Sequence, residues 1–302
     1  MVRPVLRLII FLTVLCLGLS PVGSGAPGKG QAPAVYFEAT DPEGDDYGPG
    51  SYLYPQNIAF QPYEGLFDLL KFRVSGDEQN LYFDLQIKRI SNPWNAPEGF
   101  IHPVIHIYLD TARGGKTEPL YAELGVNFPP QYGWEYCLEG VGWESSRLTY
   151  LKPDGGLEST TVLAGYLPEH HLIRLAVPVE LIGRPRKDWK YYVLIGSYDG
   201  FGPGFLRAVR KEPGDWVFGG GAEGAPLVLD LLAPAKGRYA QERQLSFPRK
   251  DGQPVVVYPI NCEKGFPWGF LLPALLLLGV GFLLAKRVKI FGFWLKNKAQ
   301  EE

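Results

Sequence analysis

Methionine occurs once in this chain of 302 residues, at Met1, and histidine and cysteine are nearly as scarce, with four and three copies. Only Cys137 and Cys262 lie beyond the first two dozen residues. An oxidising exterior permits a disulfide between them, and two buried or free thiols are the alternative. Basic runs are also missing. Between Pro27 and Gly265 there are 23 Lys and Arg against 30 Asp and Glu, a net charge of −7 with histidine neutral. Such a surface offers nothing to a phosphate backbone, so nucleic acid is not expected as a partner. Gly-x-Ser-x-Gly, His-Glu-x-x-His and a Walker loop are all absent, which removes the local signatures of hydrolase, metalloprotease and nucleotide chemistry. Paired carboxylates for glycoside hydrolysis need no local motif, and Asp84, Glu135 and Glu144 are the candidates for them. The expectation is nevertheless a protein that is not an enzyme.

The two ends carry the clearest signals that are present. Arg3 and Arg7 precede an apolar run from Leu8 to Leu19, and small residues follow at Gly23, Ser24, Gly25 and Ala26. Charge, apolar run and small residues in that order predict a secretory signal over residues 1–26, with an uncleaved anchor as the alternative. Cys16 follows Leu15 where a lipoprotein signal needs a small residue, so lipidation is not expected. At the other end, Phe266 to Ala285 is a run of 20 uncharged residues. At about 1.5 Å per residue a helix of that length crosses a hydrocarbon core of about 30 Å. Lys286, Arg287 and Lys289 follow it, and Phe266 and Trp268 stand at its opposite rim. Basic residues stay on the cytoplasmic side and aromatic rings favour the interface. The expected topology is a single pass through the cell membrane, with residues 286–302 as a basic cytoplasmic tail and the large N-terminal part outside.

Between those ends the pattern is of strands. Asp68–Val74, Asn80–Ile90, Ile101–Asp110, Leu120–Asn127, Gly133–Glu139, Ser159–Tyr166, His171–Val177, Trp189–Tyr198, Phe205–Arg210 and Asp215–Gly219 are the candidates, and Val179–Ile182 is the one short helix. In Leu81 to Lys88 the odd positions are apolar and the even ones turn polar after Tyr82, the period of a strand with one buried face. With 37 Gly and 27 Pro to make turns, this predicts an all-β fold, a β-sandwich or jelly roll, in one domain over 33–232. The Pro- and Gly-rich stretch 233–265 reads as a stalk, with Val255–Tyr258 as a possible last strand.

The densest polar site is Asp41-Pro-Glu-Gly-Asp-Asp-Tyr-Gly-Pro-Gly50. Asp41, Glu43, Asp45 and Asp46 crowd four carboxylates together, and Gly44, Gly48 and Gly50 allow tight folding. Hard oxygen ligands in a turn suit Ca²⁺, and the spacing is not that of an EF-hand. A structural Ca²⁺ held by Asp41, Asp45 and Asp46, with Asp68 as a later ligand, is the expectation; a solvated acidic turn is the alternative.

DPEGDDYGPGSYLYP at 41–55, FDLLKFRV at 67–74 and NLYFDLQI at 80–87 together resemble the opening of the C-terminal module of glucodextranase, one of the DOMON-like β-sandwiches akin to family 9 carbohydrate-binding modules. HIYLDT at 106–111, IGSYDGFGPGFLRAV at 195–209 and WVFGGG at 216–221 are similar too, so the resemblance spans roughly Val35 to Leu232. It implies a sandwich, calcium and a binding role beside glycoside hydrolases or S-layer-associated regions. Sugar rings stack on indoles, and the loop tryptophans Trp94, Trp134 and Trp143 are the candidates, while Trp189 and Trp216 are assigned to packing. Some DOMON relatives hold haem through Met and His; here removal of Met1 with the signal leaves no such pair. His102 and His106 share a strand face but lie about 13 Å apart, too far to share one metal. The leading expectation is a membrane-anchored extracellular module that binds carbohydrate, cell-wall or S-layer polymer. The alternatives are a protein-interaction or structural surface module without a sugar site, and a haem-bearing electron carrier.

Overall fold

The computed structural model describes residues 32–247 and 253–261. The signal segment, the apolar run 266–285, the basic tail and Cys262 lie outside the described residues. No helix among the described residues is long and apolar enough to cross a membrane.

Along the chain the strands are β1 (Ala34–Thr40), β2 (Leu69–Gly76), β3 (Asn80–Ile87), β4 (Pro103–Asp110), β5 (Val126–Asn127), β6 (Tyr136–Gly140), β7 (Arg147–Leu151), β8 (Leu157–Thr161), β9 (Leu163–Leu167), β10 (Leu172–Pro178), β11 (Lys190–Ser197), β12 (Asp230–Leu231), β13 (Val255–Val256) and β14 (Ile260–Asn261). Two single-turn helices, α1 (Val179–Ile182) and α2 (Gln241–Gln244), interrupt them. One sheet has the order β1-β2-β3-β10-β9. The other runs β12-β11-β4-β6-β7-β8, with β14 also paired to β11. All pairings within these two sheets are antiparallel.

The sheets face each other across a core of alternating side chains. Leu81, Phe83, Leu85 and Ile87 of β3 and Ile173, Leu175 and Val177 of β10 point in from one side. Ile105, Ile107 and Leu109 of β4 and Tyr191, Val193 and Ile195 of β11 answer from the other. The alternation on β10 is strict in the fold although its sequence looks irregular: Arg174 on the outer face lies over the Tyr82 ring and forms a two-pronged ion pair with Asp84 of β3. Every residue of β4 is buried. Its second face carries Val104 and Tyr108 into another apolar cluster with Phe128, Trp134, Tyr192, Leu231, Leu245, Val255 and Val257. The middle of the seven-stranded sheet is thus covered on both faces, by the other sheet and by its own long connections, while β8 at its edge is largely exposed.

Four sequence expectations are corrected here. Leu120–Asn127 is mostly a short turn of 3-10 helix, Ala122–Leu124, before the two residues of β5. Ser159–Tyr166 divides at Val162, where the chain leaves β8 in the larger sheet and enters β9 in the smaller. Phe205–Arg210 and Asp215–Gly219 are loops joined by isolated bridges, Tyr198 to Leu206 and Val209 to Phe218, because Gly202-Pro203-Gly204 and Pro213-Gly214 break regular pairing. Finally, the first part of the presumed stalk belongs to the body. Gln241, Leu245, Val255 and Val257 are buried, β13 pairs with β5, and β14 pairs with β11. The Gln241 side chain accepts from Leu231 N–H, so this segment closes backbone hydrogen bonds of the sandwich.

Candidate functional site

Two constructions stand out, an acidic cluster where the two sheets meet at their edges and an aromatic cleft. The cluster grows from the loop after β1. Gly44, Gly48 and Gly50 all take positive φ there, and a side chain at Gly48 would run into the Tyr52 ring. This tight path places Asp41 and Asp45 within 4.8 Å, ligand atom to ligand atom, of Asp230 on β12. β1 and β12 are outer strands of different sheets, so the cluster joins the two layers. Two hydrogen bonds cross the same seam: Ala233 N–H donates to Asp41 Oδ1 (2.7 Å), and Leu69 N–H donates to Asp230 Oδ2 (2.6 Å).

Four of the five carboxylates, Asp41, Asp46, Asp68 and Asp230, divide their oxygens in the same way. Asp46 Oδ2 accepts from the Tyr54 hydroxyl and from Phe67 N–H, and Asp68 Oδ2 accepts from Gly44 N–H. The other oxygen is buried and unpartnered among the described residues in Asp41, Asp45, Asp46, Asp68 and Asp230 alike. Burying acceptors without donors costs roughly 1–3 kcal/mol apiece, so a fold with five of them together requires an explanation. Burial, then the charge of Asp45, pushes Asp41 up to about 8; burial and Asp68 push Asp45 up to about 7. Burial and Asp46 push Asp68 up to about 6, and Asp230, fully buried beside Asp41, is raised well above the usual range. Lys88, ion-paired with Glu43 at 3.0 Å and 3.6 Å from Asp68, compensates only at the rim. The donor set is all hard oxygen and multiply charged, which fits Ca²⁺ rather than zinc or copper.

Of the sequence candidates, Asp41 and Asp45 sit in the trio, and Asp46 and Asp68 adjoin it through their charges. Asp230 was missed. Its signal was present: Leu227-Val-Leu-Asp-Leu-Leu232 holds one carboxylate inside an apolar run, and a charge in such a run must find a partner or a cation. Glu43 faces outward to Lys88.

The cleft opens where β4 begins and β11 ends. It has a volume of about 650 Å³, and its lining includes Trp94, Trp143, Trp216, His102, Asp199 and Arg207. Trp94 and Trp216 are 51% and 41% exposed. The Trp94 ring stands 6.5 Å from Trp143 and 6.2 Å from Trp216. Phe201, fully exposed, marks the rim. Arg207 holds the wall: Nε donates to Ser197 Oγ, Nη1 to the Trp216 carbonyl and Nη2 to the Tyr198 carbonyl. Its guanidinium also lies over the Phe60 and Trp216 rings, at 5.3 and 5.4 Å. Below, Phe60 packs on His102 at 4.9 Å, and Tyr54, Phe67 and Phe218 continue the ring packing toward Asp46.

Trp94 and Trp143 therefore come together, and the expectations for Trp134 and Trp216 reverse. Trp134 is 0% exposed, its Nε1–H donating to the Glu118 carbonyl beneath Tyr108, and it has no face to offer a ligand. Trp216, assigned to packing, forms a cleft wall because its segment is a loop rather than a strand. Trp189 is in the core. The candidate acid–base residues stay apart from the cleft lining. Asp84 is held by Arg174, and Glu135 Oε2 accepts from the Thr111 and Ala112 amides and the Thr111 hydroxyl. Glu144 is exposed. Both ring nitrogens of His106 are unpartnered among the described residues, burial pushes it down to about 3, and Glu139 is 4.0 Å away. Cys137 is a buried free thiol on the same sheet face as Tyr108.

No curated protein matches the chain. A family model described as the C-terminal binding-module, SLH-like, of glucodextranase matches residues 36–259, which runs through both sheets, the acidic cluster, the cleft and the segment that closes over β4. A binding module is not a catalytic domain, in keeping with a cleft that gathers indoles rather than paired carboxylates. On that match, the chain belongs to the family of the glucodextranase C-terminal binding module.

Proposed function

We propose that this protein binds carbohydrate at the cell surface through the Trp94–Trp143–Trp216 cleft, with a structural Ca²⁺ in the acidic cluster and the apolar segment 266–285 as its membrane anchor. One observation carries the reading: three indoles meet in a single concave site, two of them with much of their surface open to solvent. A sugar ring presents C–H faces that stack on indole, while its hydroxyls need polar groups at the edge. Asp199 provides polarity beside the rings. Concavity favours a polymer chain or its end over a flat protein partner, which is the rival reading. Polymers of a cell wall or S-layer are the ligands that a module tethered to a membrane would meet.

Calcium has a different role in this reading. Asp41, Asp45 and Asp230 would hold it, with Asp46 and Asp68 adding charge from beside them. The ion supplies positive charge to oxygens that otherwise have no donor, and it ties the two sheets at their edges. It does not touch the ligand.

Affinity electrophoresis or pull-down against a panel of polysaccharides tests the binding site. An aromatic stack is worth about 1 kcal/mol beyond its buried area, and the area adds a similar amount. Trp94→Ala and Trp216→Ala should each weaken retention about tenfold or more. Unaltered retention in the double variant would move the ligand elsewhere and hand the cleft to a protein partner.

A further inference from the structure

We infer that the cleft selects uncharged sugars and rejects anionic polymers; this rests on the carbohydrate reading above and narrows it to neutral glycans. Among the described residues, Arg207 is the sole Lys or Arg that lines the cleft. An arginine in a sugar site ordinarily signals recognition of a carboxylate or phosphate, because its planar fork matches those groups. Here most of the fork is committed. Three donors are spent on Ser197, Tyr198 and Trp216, and Asp199 Oδ2 lies 3.6 Å from Nη1. The guanidinium plane lies over Phe60 and Trp216, and the side chain is only 10% exposed. It is a brace that joins the end of β11 to the Trp216 loop, and its charge is already answered.

The remaining polar groups point the same way. Asp199 is the residue of that ion pair facing the cleft with more surface, its side chain 28% exposed. Its Oδ1 accepts from Phe201 N–H, which fixes the carboxylate at the rim. His102 is on the floor, packed against Phe60 and Phe67, with Nε2 lacking any partner. Burial keeps this ring uncharged, pushing it down to about 4. Among the described residues the cleft thus offers aromatic faces, a carboxylate and a neutral imidazole, and no free cation. A hydroxyl can donate to such a lining. A uronate or phosphodiester would place its negative charge near Asp199 with no available counter-charge, and burial of an unpaired charge is costly.

The test uses the full-length protein in detergent and two series of oligosaccharides matched in linkage and length, one built of hexose and the other of the corresponding hexuronate. Calorimetry or affinity electrophoresis should show the hexose series binding at least tenfold more tightly, about 1.4 kcal/mol. Asp199→Asn, which keeps an oxygen to accept from Phe201 N–H, should narrow that gap by improving the hexuronate series relative to the hexose series. Hexuronates that bind as tightly as hexoses, with retention lost in Trp94→Ala, would overturn the selectivity and leave the carbohydrate site standing. Failure of both series in every linkage would overturn the carbohydrate reading and this inference with it.

Discussion

Trp134 and Trp94 are chemically the same residue with opposite duties, and only the fold separates them. Both follow turn residues in sequence, and both read as loop tryptophans. Trp134 turns inward because Lys116 pairs with its backbone on both sides and the Glu118 carbonyl takes its indole N–H. Truncation of such a side chain removes a large buried volume, so Trp134→Ala should lower stability by about 3–5 kcal/mol. Trp94→Ala should cost less than about 1 kcal/mol, since half of its surface is already wet. Urea denaturation of both variants reads the difference, and equal losses would contradict the burial described here. The acidic residues show the converse lesson. Asp41 and Asp45 were legible because crowding in sequence survives folding, whereas Asp230 arrives from a distant strand and no local spacing announces it. An isolated carboxylate among Leu and Val was the available clue.

At the scale of elements, apolar runs bounded by turn residues were the most readable. β3, β4, β10 and β11 emerge close to their expected bounds; a period of two marks β3, while β4 and β11 are apolar on both faces and were delimited by their flanking turns. Legibility ended where glycine and proline make walls. The segments around Pro203 and Pro213 have the composition of strands and the turn chemistry of loops, and the turns decide. The stretch after Ala233 failed for a related reason: its Pro and Gly content resembles a linker, but Leu245, Val255 and Val257 plug the second apolar cluster. Removing them uncovers Val104, Tyr108 and Leu194 on the face of the larger sheet. A chain ending at residue 232 should therefore be insoluble or partly unfolded, while one ending at 261 should give a cooperative melt. Identical melts for the two, followed by circular dichroism, would show the segment to be a linker after all.

For the whole molecule the seam of acidic groups governs how stability responds to protons. In the metal-free protein Asp41 keeps its proton up to about 8, against 3.8 for an unperturbed carboxyl. The folded state then binds more protons than the unfolded state across that window, so stability is greatest at the acid end and declines as pH rises through it. A cation reverses the trend, because it binds the deprotonated carboxylates. With chelator, the melting temperature should be lower at about pH 8 than at about pH 7, a span in which His102 and His106 are neutral in the folded state and unfolded histidine is mostly neutral too. Addition of about 1 mM Ca²⁺, the range of extracellular sites, should raise it most at the higher pH. A melting point indifferent to calcium at the alkaline end would remove the ion from the fold. Asp230→Asn should abolish most of the calcium effect, since it withdraws the one carboxylate contributed by the opposite sheet.

The double coverage of β4 has a consequence for how the chain must be made. This strand sits in the interior of its sheet, and part of its outer cover comes from Leu231, Leu245, Val255 and Val257, more than a hundred residues later. Synthesis runs from the N-terminus, so a strand with apolar residues on both faces waits for its lid until nearly all of the body has emerged. Until then it is open to mispairing with a second copy. The protein is at its most vulnerable just before its last strands arrive.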